Sequence, residues 1–356
     1  MTNINDPEIT IAGRAVGRRH EPLFWPDIDI YFRRDEALAL SLIDKLADAG
    51  CDFLKAAVLQ SPDLCLPDAG EIEYFDHIAQ KTVARSYRDI IDAQHTPLPM
   101  MTRLLEHARS RKLEIVLSVY DLEGLDFAVN EGAVAIKIPS SNITHKVLIE
   151  AASKNAAALV LDTGRSSLEE IDRAVAWAKA AGAKGKLLVQ HSPAGPPAPP
   201  SDFRMGYLPK FAARYSCPVG LSDHHPGLDM IAVGVALGAC VIEKGVAGSK
   251  TRADIDIAHA FHIDDARDVL SLARDTWAAI GDTPREANGG MDRMGCIAAR
   301  DLTAGEILSR DDITFAFPAH GLGAEMIDEI IGASIKTNIN AGRPIADNVL
   351  NRKAHK

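Results

Sequence analysis

The sequence predicts an α/β chain: a closed (β/α)8 TIM barrel followed by a small, mostly β C-terminal domain. Three observations carry this. Apolar runs of strand length alternate with amphipathic helical stretches about eight times, with no reversal in the alternation. Most of these runs stop on polar or charged residues, as strands do where an α/β enzyme builds its site. After residue 282 the texture changes to short runs broken by glycines. An open doubly wound sheet is the competing arrangement, because closure leaves no direct trace in a sequence.

Taken in order, ITIAGRAV (9–16) reads as a small hairpin ahead of the main fold, and Leu23 to Ile30 as the first strand. Asp35 is placed to cap a helix with Leu38, Leu42, Ile43 and Leu46 on one face, stopped by Gly50. Asp52 to Val58 is the second strand and carries Lys55; in the long connection after it, Tyr74, Phe75, Tyr87 and Ile90 suggest short helices. Helix 97–111 precedes strand 113–119, and helix 122–130 precedes strand 134–138 with its Lys137. Helix 145–153 and strand 157–161 follow. Helix 168–181 opens on a capping box, Ser167 with Glu170 three residues on, which satisfies its first free N–H groups. Strand 186–190 ends at His191, and a Pro-rich loop leads to helix 206–215. Strand 218–221 ends in Ser222-Asp223-His224-His225, and strand 239–242 delivers Glu243 and Lys244; Asp264 is placed to cap a last helix to Ile280. The barrel is thus expected over 1–282, a Gly/Pro/Asn linker over 283–292 and the small domain over 293–350.

The balance of 49 acids against 39 bases, net charge -10, without a dense Lys/Arg cluster, gives nucleic-acid binding no support. No apolar run approaches the ~20 residues of a membrane span, and the polar N-terminus lacks a secretion signal. Five scattered cysteines with no CxxC pair argue against a disulfide framework, so a cytoplasmic protein is expected.

The expected rim of strand ends gathers Asp27, Lys55, Lys137, Asp162, His191, Ser222, His224 and Glu243. A single lysine after an apolar run more often snorkels to solvent. Two at equivalent positions point instead to a clamp for an anionic substrate or to a Schiff-base amine. Ser140, Ser141 and Ser222 add hydroxyls suited to a phosphate or carboxylate. A lone histidine is more often structural than a ligand, but acidic and histidine neighbours on one rim favour a divalent metal, though no HxH or HExxH spacing specifies one. Phosphate loops, dinucleotide fingerprints and a GxSxG elbow are absent.

GLSDH with ALGACVIEK, AIKIPSS, LDTGRSSLEEI and the tail ARDLTAGEILSRDDITF resemble the N-acetylneuraminate (sialic acid) synthases and the related spore-coat polysaccharide proteins, with a SAF (antifreeze-like) tail. The resemblance covers nearly the whole chain. It implies a TIM barrel that condenses phosphoenolpyruvate with an N-acetylated aldose, releasing phosphate, with Mn2+ or Mg2+ polarising the aldehyde. By that resemblance Lys55, Lys137, Ser140 and Ser222 hold anionic groups, and Asn142 and Asp256 are substrate-contacting positions. Asp27 and Glu243 are the catalytic acids, and His224 is a metal ligand. It further implies a homodimer in which the SAF domain caps the partner's barrel.

The sequence also departs from that family. The second metal histidine is Gly245, the glutamine after strand two is Ala57, and Val119 replaces a threonine. Asn142 stands where an acid is expected, Asp162 where a phosphate-binding serine is, and Phe317 where an arginine reaches the partner. Anion capture is mostly kept while acceptor recognition is rebuilt. His191 or Asp162 is the expected replacement ligand beside His224. A Schiff-base aldolase or lyase acting on a keto acid, and an inactive sugar- or anion-binding homologue, are the competing readings.

Overall fold

A computed structural model of the chain describes residues 6–29, 31–32, 34–76, 81–193, 195, 197–248, 259–281 and 292–351. They form two compact units, 1–282 and 283–356. The expected linker at 283–292 falls almost wholly outside the described residues.

The first unit opens with a hairpin, β1 (Ile9–Ile11) and β2 (Arg14–Val16). The barrel then runs β3 (Leu23–Asp27), α1 (Glu36–Ala49) and β4 (Phe53–Val58). A second hairpin follows, β5 (Glu71–Asp76) with β6 (Lys81–Ser86), leading into α2 (Tyr87–Gln94) and α3 (Leu98–Ser110). Next come β7 (Glu114–Val119), α4 (Leu122–Asn130), β8 (Ala135–Ile138) and α5 (Lys146–Asn155). They are followed by β9 (Leu159–Asp162), α6 (Leu168–Ala178), β10 (Leu187–His191), the short α7 (Pro200–Phe203) and α8 (Tyr207–Tyr215). The unit ends with β11 (Val219–Asp223), α9 (Asp229–Ala236), β12 (Ala239–Ala247), β13 (Phe261–His262) and α10 (Ala266–Ile280).

Eight parallel strands, β3-β4-β7-β8-β9-β10-β11-β12, form a ring that closes where β12 pairs with β3, placing Gly245 opposite Asp27. Closure decides against the open sheet. Strand alternation then sorts the side chains. Leu23, Trp25, Phe53, Val116, Ala135, Val160, Leu188 and Val241 fill the barrel interior, where the β1–β2 hairpin adds Ile9, Ile11 and Val16. The opposite parity, including Leu54, Leu117, Leu161, Val189, Leu221 and Ile242, joins Leu42, Ile43 and Leu46 of α1 in the layer between strands and helices.

Local chemistry sets the helix ends. Asp35 accepts from Leu38 N, and Gly50 ends α1 at φ 91°, a left-handed conformation that glycine adopts without a Cβ penalty. The Ser167–Glu170 capping box is present on α6. Two expectations are corrected. Tyr74 and Phe75 lie in a strand of the β5–β6 hairpin, in keeping with the strand preference of aromatic residues, and only Tyr87 and Ile90 are helical. Asp264 does not cap α10; it sits in a 3-10 turn whose own cap is His262.

The second unit is short strands and turns: β14 (Gly295–Ala298) pairs β15 (Ile313–Ala316), and β16 (Ser334–Ile335) pairs β17 (Leu350–Asn351). Its core includes Cys296, Leu302, Leu308, Ile313, Ile330, Ile335, Ile345 and Leu350. All five cysteines of the chain are free and buried.

One ion pair fastens the end of the barrel. Asp223 on β11 is in register with Lys244 on β12, their side chains meet at 2.9 Å, and both are fully buried. Lys244 Nζ also donates to the His225 carbonyl at 2.6 Å, while Asp223 Oδ1 accepts from His225 N at 2.8 Å. Burial pushes the carboxyl up and the ammonium down, so each charge is tolerated because the other is present. Lys244→Met is therefore expected to cost about 3–5 kcal/mol in urea unfolding, and Asp223→Leu added to it to recover most of that loss. A double variant no more stable than the single one would show that the stranded charge is not the cause.

Candidate active site

The inward parity that carries Trp25, Phe53, Val116, Ala135, Val160 and Val241 through the barrel ends, two residues on, in Asp27, Lys55, Ser118, Lys137, Asp162 and Glu243. These six are among the residues lining a cavity of about 250 Å3 at the carboxyl ends of the strands, with Asp29, Tyr31, Tyr120, Ser140, Ser222, His224, Gly245 and His259. The polar layer is the top of the same stack that packs the core.

Its centre is Glu243. Lys137 Nζ lies 2.6 Å from Glu243 Oε1 and 2.7 Å from Asp162 Oδ2. Lys55 Nζ lies 2.6 Å from Asp27 Oδ2 and 3.8 Å from both Asp29 Oδ2 and Glu243 Oε1. Ser222 Oγ donates to Glu243 Oε1 at 3.3 Å, and Gln190 Nε2 reaches Glu243 Oε2 at 3.3 Å. Burial alone would raise the Glu243 carboxyl, but Lys137 and Lys55 override it and hold it at about 2. Burial acts to lower both lysines, yet their carboxylate neighbours outweigh it and raise them, Lys55 well above its ordinary value.

Asp27 goes the other way. Burial pushes it up to about 8 against the pull of Lys55, and Asp29 and Glu243 add to the push. The two partners thus differ: Lys55 has three carboxylates to keep it charged, whereas Asp27 has one cation to offset its burial. Lys55 therefore keeps its charge, and the proton among the surplus carboxylates falls to Asp27.

Asp162 uses both oxygens, one on Lys137 and one accepting from Gly164 N at 3.0 Å. Gly164 keeps this corner uncrowded: a Cβ there would lie 3.0 Å from Ser140 Oγ and 3.2 Å from Ser192 Oγ. His224 extends beyond Ser222, its Nε2 3.4 Å from Ser222 Oγ. Burial pushes its imidazole down to about 4, so it is neutral at pH 7.

Three expectations change. His191 is not in this cluster. It follows inward Gln190 by one residue and so faces the helices, against Tyr207 and Phe211 of α8, with Nε2 hydrogen-bonded to the Phe203 carbonyl. Asn142 does not line the cavity; its amide donates to the Tyr120 carbonyl at 2.7 Å and accepts from Ser141 at 2.9 Å, bracing the loop after β8. Asp256 lies outside the described residues. Sequence reasoning missed Ser118, Gln190 and His259. Period-two counting from Val116 and Leu188 finds the first two, while nothing local marks His259. Ser118 Oγ, Gln190 Oε1, His224 Nδ1 and His259 Nδ1 are buried without a partner, and such atoms are the ones a bound molecule satisfies.

Comparison with known proteins agrees with this geometry. Residues 42–285 match the NeuB family, and residues 293–350 match the SAF domain. The chain is 28% identical over 307 residues to the N,N'-diacetyllegionaminic acid synthase of Campylobacter jejuni, covering 84% of this chain and 91% of that protein. The protein of the same name from Legionella pneumophila is 24% identical over 317 residues, covering 86% of this chain and 88% of that one. The crystal structure of the N-acetylneuraminic acid synthetase from Leptospira borgpetersenii, in complex with citrate, shares the fold at a TM-score of 0.69 and 20% identity, over 80% of this chain and 93% of that one. A closed barrel with lysines and carboxylates at its mouth, matched along most of its length, places the chain in the NeuB family, with a SAF domain after the barrel.

Proposed function

We propose that this chain transfers the three-carbon unit of phosphoenolpyruvate to an aldose in an aldol-type condensation, making a nonulosonic acid for surface polysaccharide. The observation that carries the reading is the pair of buried, charged lysines, Lys55 and Lys137, joined through Glu243 at the barrel mouth. They suit a small molecule with a carboxylate and a phosphate. Relatives named for legionaminic and pseudaminic acid synthesis support the product class. The balance is simple: the enol carbon bonds to the aldehyde carbon, the aldehyde oxygen takes a proton, water adds at the former enol position and phosphate leaves.

Each residue's part follows from its surroundings. Lys55 and Lys137 turn from Asp27 and Asp162 to substrate oxygens, and Ser140 and Ser222 supply hydroxyls in the same cavity. Asp27, protonated at pH 7, can give up a proton, whereas Glu243 stays ionised and fixes both lysines. A Schiff-base mechanism is disfavoured, because it needs a neutral amine and the carboxylates here keep both lysines protonated.

A divalent cation, Mn2+ or Mg2+, belongs to the proposal, and when bound it would polarise the acceptor carbonyl. The fit is through neutral His224, whose buried Nδ1 has no partner. His191 faces away and Asp162 is committed to Lys137 and Gly164. Among the described residues no three His, Cys, Asp or Glu side chains converge into a ready ligand set. The protein side of the site is therefore small, leaving positions for water and substrate oxygens.

A homodimer with the SAF domain over the partner's barrel is proposed from the family resemblance. Phe317, 61% exposed where an arginine is expected, would make that contact apolar. No helix among the described residues is long and apolar enough to cross a membrane, and a cytoplasmic site of action is proposed with the same reading.

The direct test is phosphate release from phosphoenolpyruvate with Mn2+ and a panel of N-acylated aldoses. Release with none of them, with phosphoenolpyruvate binding retained, would favour the inactive-scaffold reading. Lys137→Met is expected to lower kcat/KM for phosphoenolpyruvate about 10- to 100-fold, the value of one charge-assisted hydrogen bond. A second expectation concerns pH. Above about 8 Asp27 ionises and competes with the substrate for Lys55, so KM for phosphoenolpyruvate should climb with pH, and Asp27→Asn should remove the climb. A wild-type KM that stays flat to about pH 9 would contradict a protonated Asp27.

A further inference from the structure

The expected second ligand position is Gly245, and its space is taken. A Cβ built there would lie 2.8 Å from Tyr31 Cζ, so the Tyr31 phenol stands where a side chain at 245 would begin. The same phenol leads to another histidine. Tyr31 Oη is 3.1 Å from His259 Nε2, and the His259 ring lies against His224, centroids 4.7 Å apart at 49°. His259 is 3% exposed, and Nδ1 of both rings is buried without a partner.

The hydrogen bonds indicate where the protons sit. Ser222 Oγ gives its proton to Glu243, so it can only accept from His224 Nε2. That puts the His224 proton on Nε2 and leaves a lone pair on Nδ1. With its Nε2 proton on the Tyr31 oxygen, His259 has the same tautomer, which avoids a buried Nδ1–H lacking an acceptor. A packing pair of imidazoles would ordinarily satisfy such atoms. Two unpartnered imidazole nitrogens, on rings whose centroids lie 4.7 Å apart in the lining of an acidic cavity, suit a cation.

We propose that His259 is the second protein ligand of the divalent cation, paired with His224 through their Nδ1 atoms, and that Tyr31 is a positioning residue that orients His259. The ligand pair has moved: Gly245 gives up its side chain, Tyr31 fills the space, and a histidine from the segment before β13 replaces it. The cation's use rests on the condensing-enzyme reading; its binding does not.

The test uses full-length protein stripped with EDTA and titrated with Mn2+, followed by electron paramagnetic resonance. Wild type should show two imidazole nitrogens in pulsed spectra. His259→Gln should show one and bind Mn2+ at least about 10-fold more weakly. Tyr31→Phe keeps both nitrogens and should weaken binding by a smaller factor. Circular dichroism and Tm check folding. Should His259→Gln not fold, Tyr31→Phe and the wild-type spectrum decide. Gly245→His with Tyr31→Ala, in the His259→Gln background, should restore the second nitrogen. A single nitrogen in wild type, no Mn2+ binding at all, or two nitrogens at undiminished affinity in His259→Gln would each overturn the proposal. Phosphate release is assayed in parallel. Turnover without the two-nitrogen signature removes the ligand pair alone, and the signature without turnover removes the condensation reading alone.

Discussion

The structure depends on how charge is balanced inside a closed barrel. Glu243 receives Lys137 at 2.6 Å and Lys55 at 3.8 Å, and those lysines in turn hold Asp27 and Asp162. Removing any of these groups from water costs several kcal/mol, which is recovered only where partners sit at hydrogen-bond distance. Strand register supplies that distance. Each charged residue is the next inward position above an apolar one, so the packing that fills the barrel also fixes the separations in the charged layer. The lysines stand preorganised with carboxylate oxygens where substrate oxygens would go, and less ordering is left for binding to impose.

Strand parity divides the work between two sides of one sheet. At the ends of β11 and β12 Ser222 and Glu243 have the inward parity; Asp223 and Lys244, one residue on, also border the cavity but have the opposite parity, and their side chains are fully buried against each other. The outward pair has no opening to water. It grips the backbone of His225 by both its N–H and its carbonyl, immediately after His224. The direction in which His224 leaves the strand end is thus set by a bond on the far side of the sheet. Chemistry and scaffold alternate along the chain, and a one-residue slip would exchange them.

Much of this was legible in the sequence. The eight strand–helix units, the caps at Asp35, Gly50 and Ser167, and the rim residues Asp27, Lys55, Lys137, Asp162, Ser222 and Glu243 follow from periodicity and from where apolar runs stop. What the sequence hides is the parity of a strand end. His191 terminates β10 as expected but points at α8, because Gln190 has the inward position. The resemblance implies a substrate-contacting role for Asn142, yet its short amide beside a turn serves the backbone carbonyl of Tyr120. Tyr74 and Phe75 lie in a hairpin strand, as the strand preference of aromatic residues favours, and not in a helix. The contact of His259 with His224 and Tyr31 joins segments up to 228 residues apart. No spacing rule could have found it.

The cavity poses a further electrostatic problem. Asp27, Asp29, Asp162 and Glu243 formally outnumber Lys55 and Lys137 by two charges, and Asp223 and Lys244 cancel each other. A site with two surplus negative charges repels the anion it is proposed to bind, at a distance where burial leaves little screening. A proton on Asp27 removes one of those charges. A dication beside His224 would change the balance by two more, from repulsion to a net positive site. Asp162, which looks like a misplaced carboxylate when set against a serine, is then part of the same arrangement. It keeps Lys137 in position before the substrate arrives, and it raises the affinity of the cavity for the cation that makes anion binding favourable. On this reading the acidic residues and the proposed His224–His259 pair are coupled: the more carboxylate the mouth carries, the more its function depends on a bound cation.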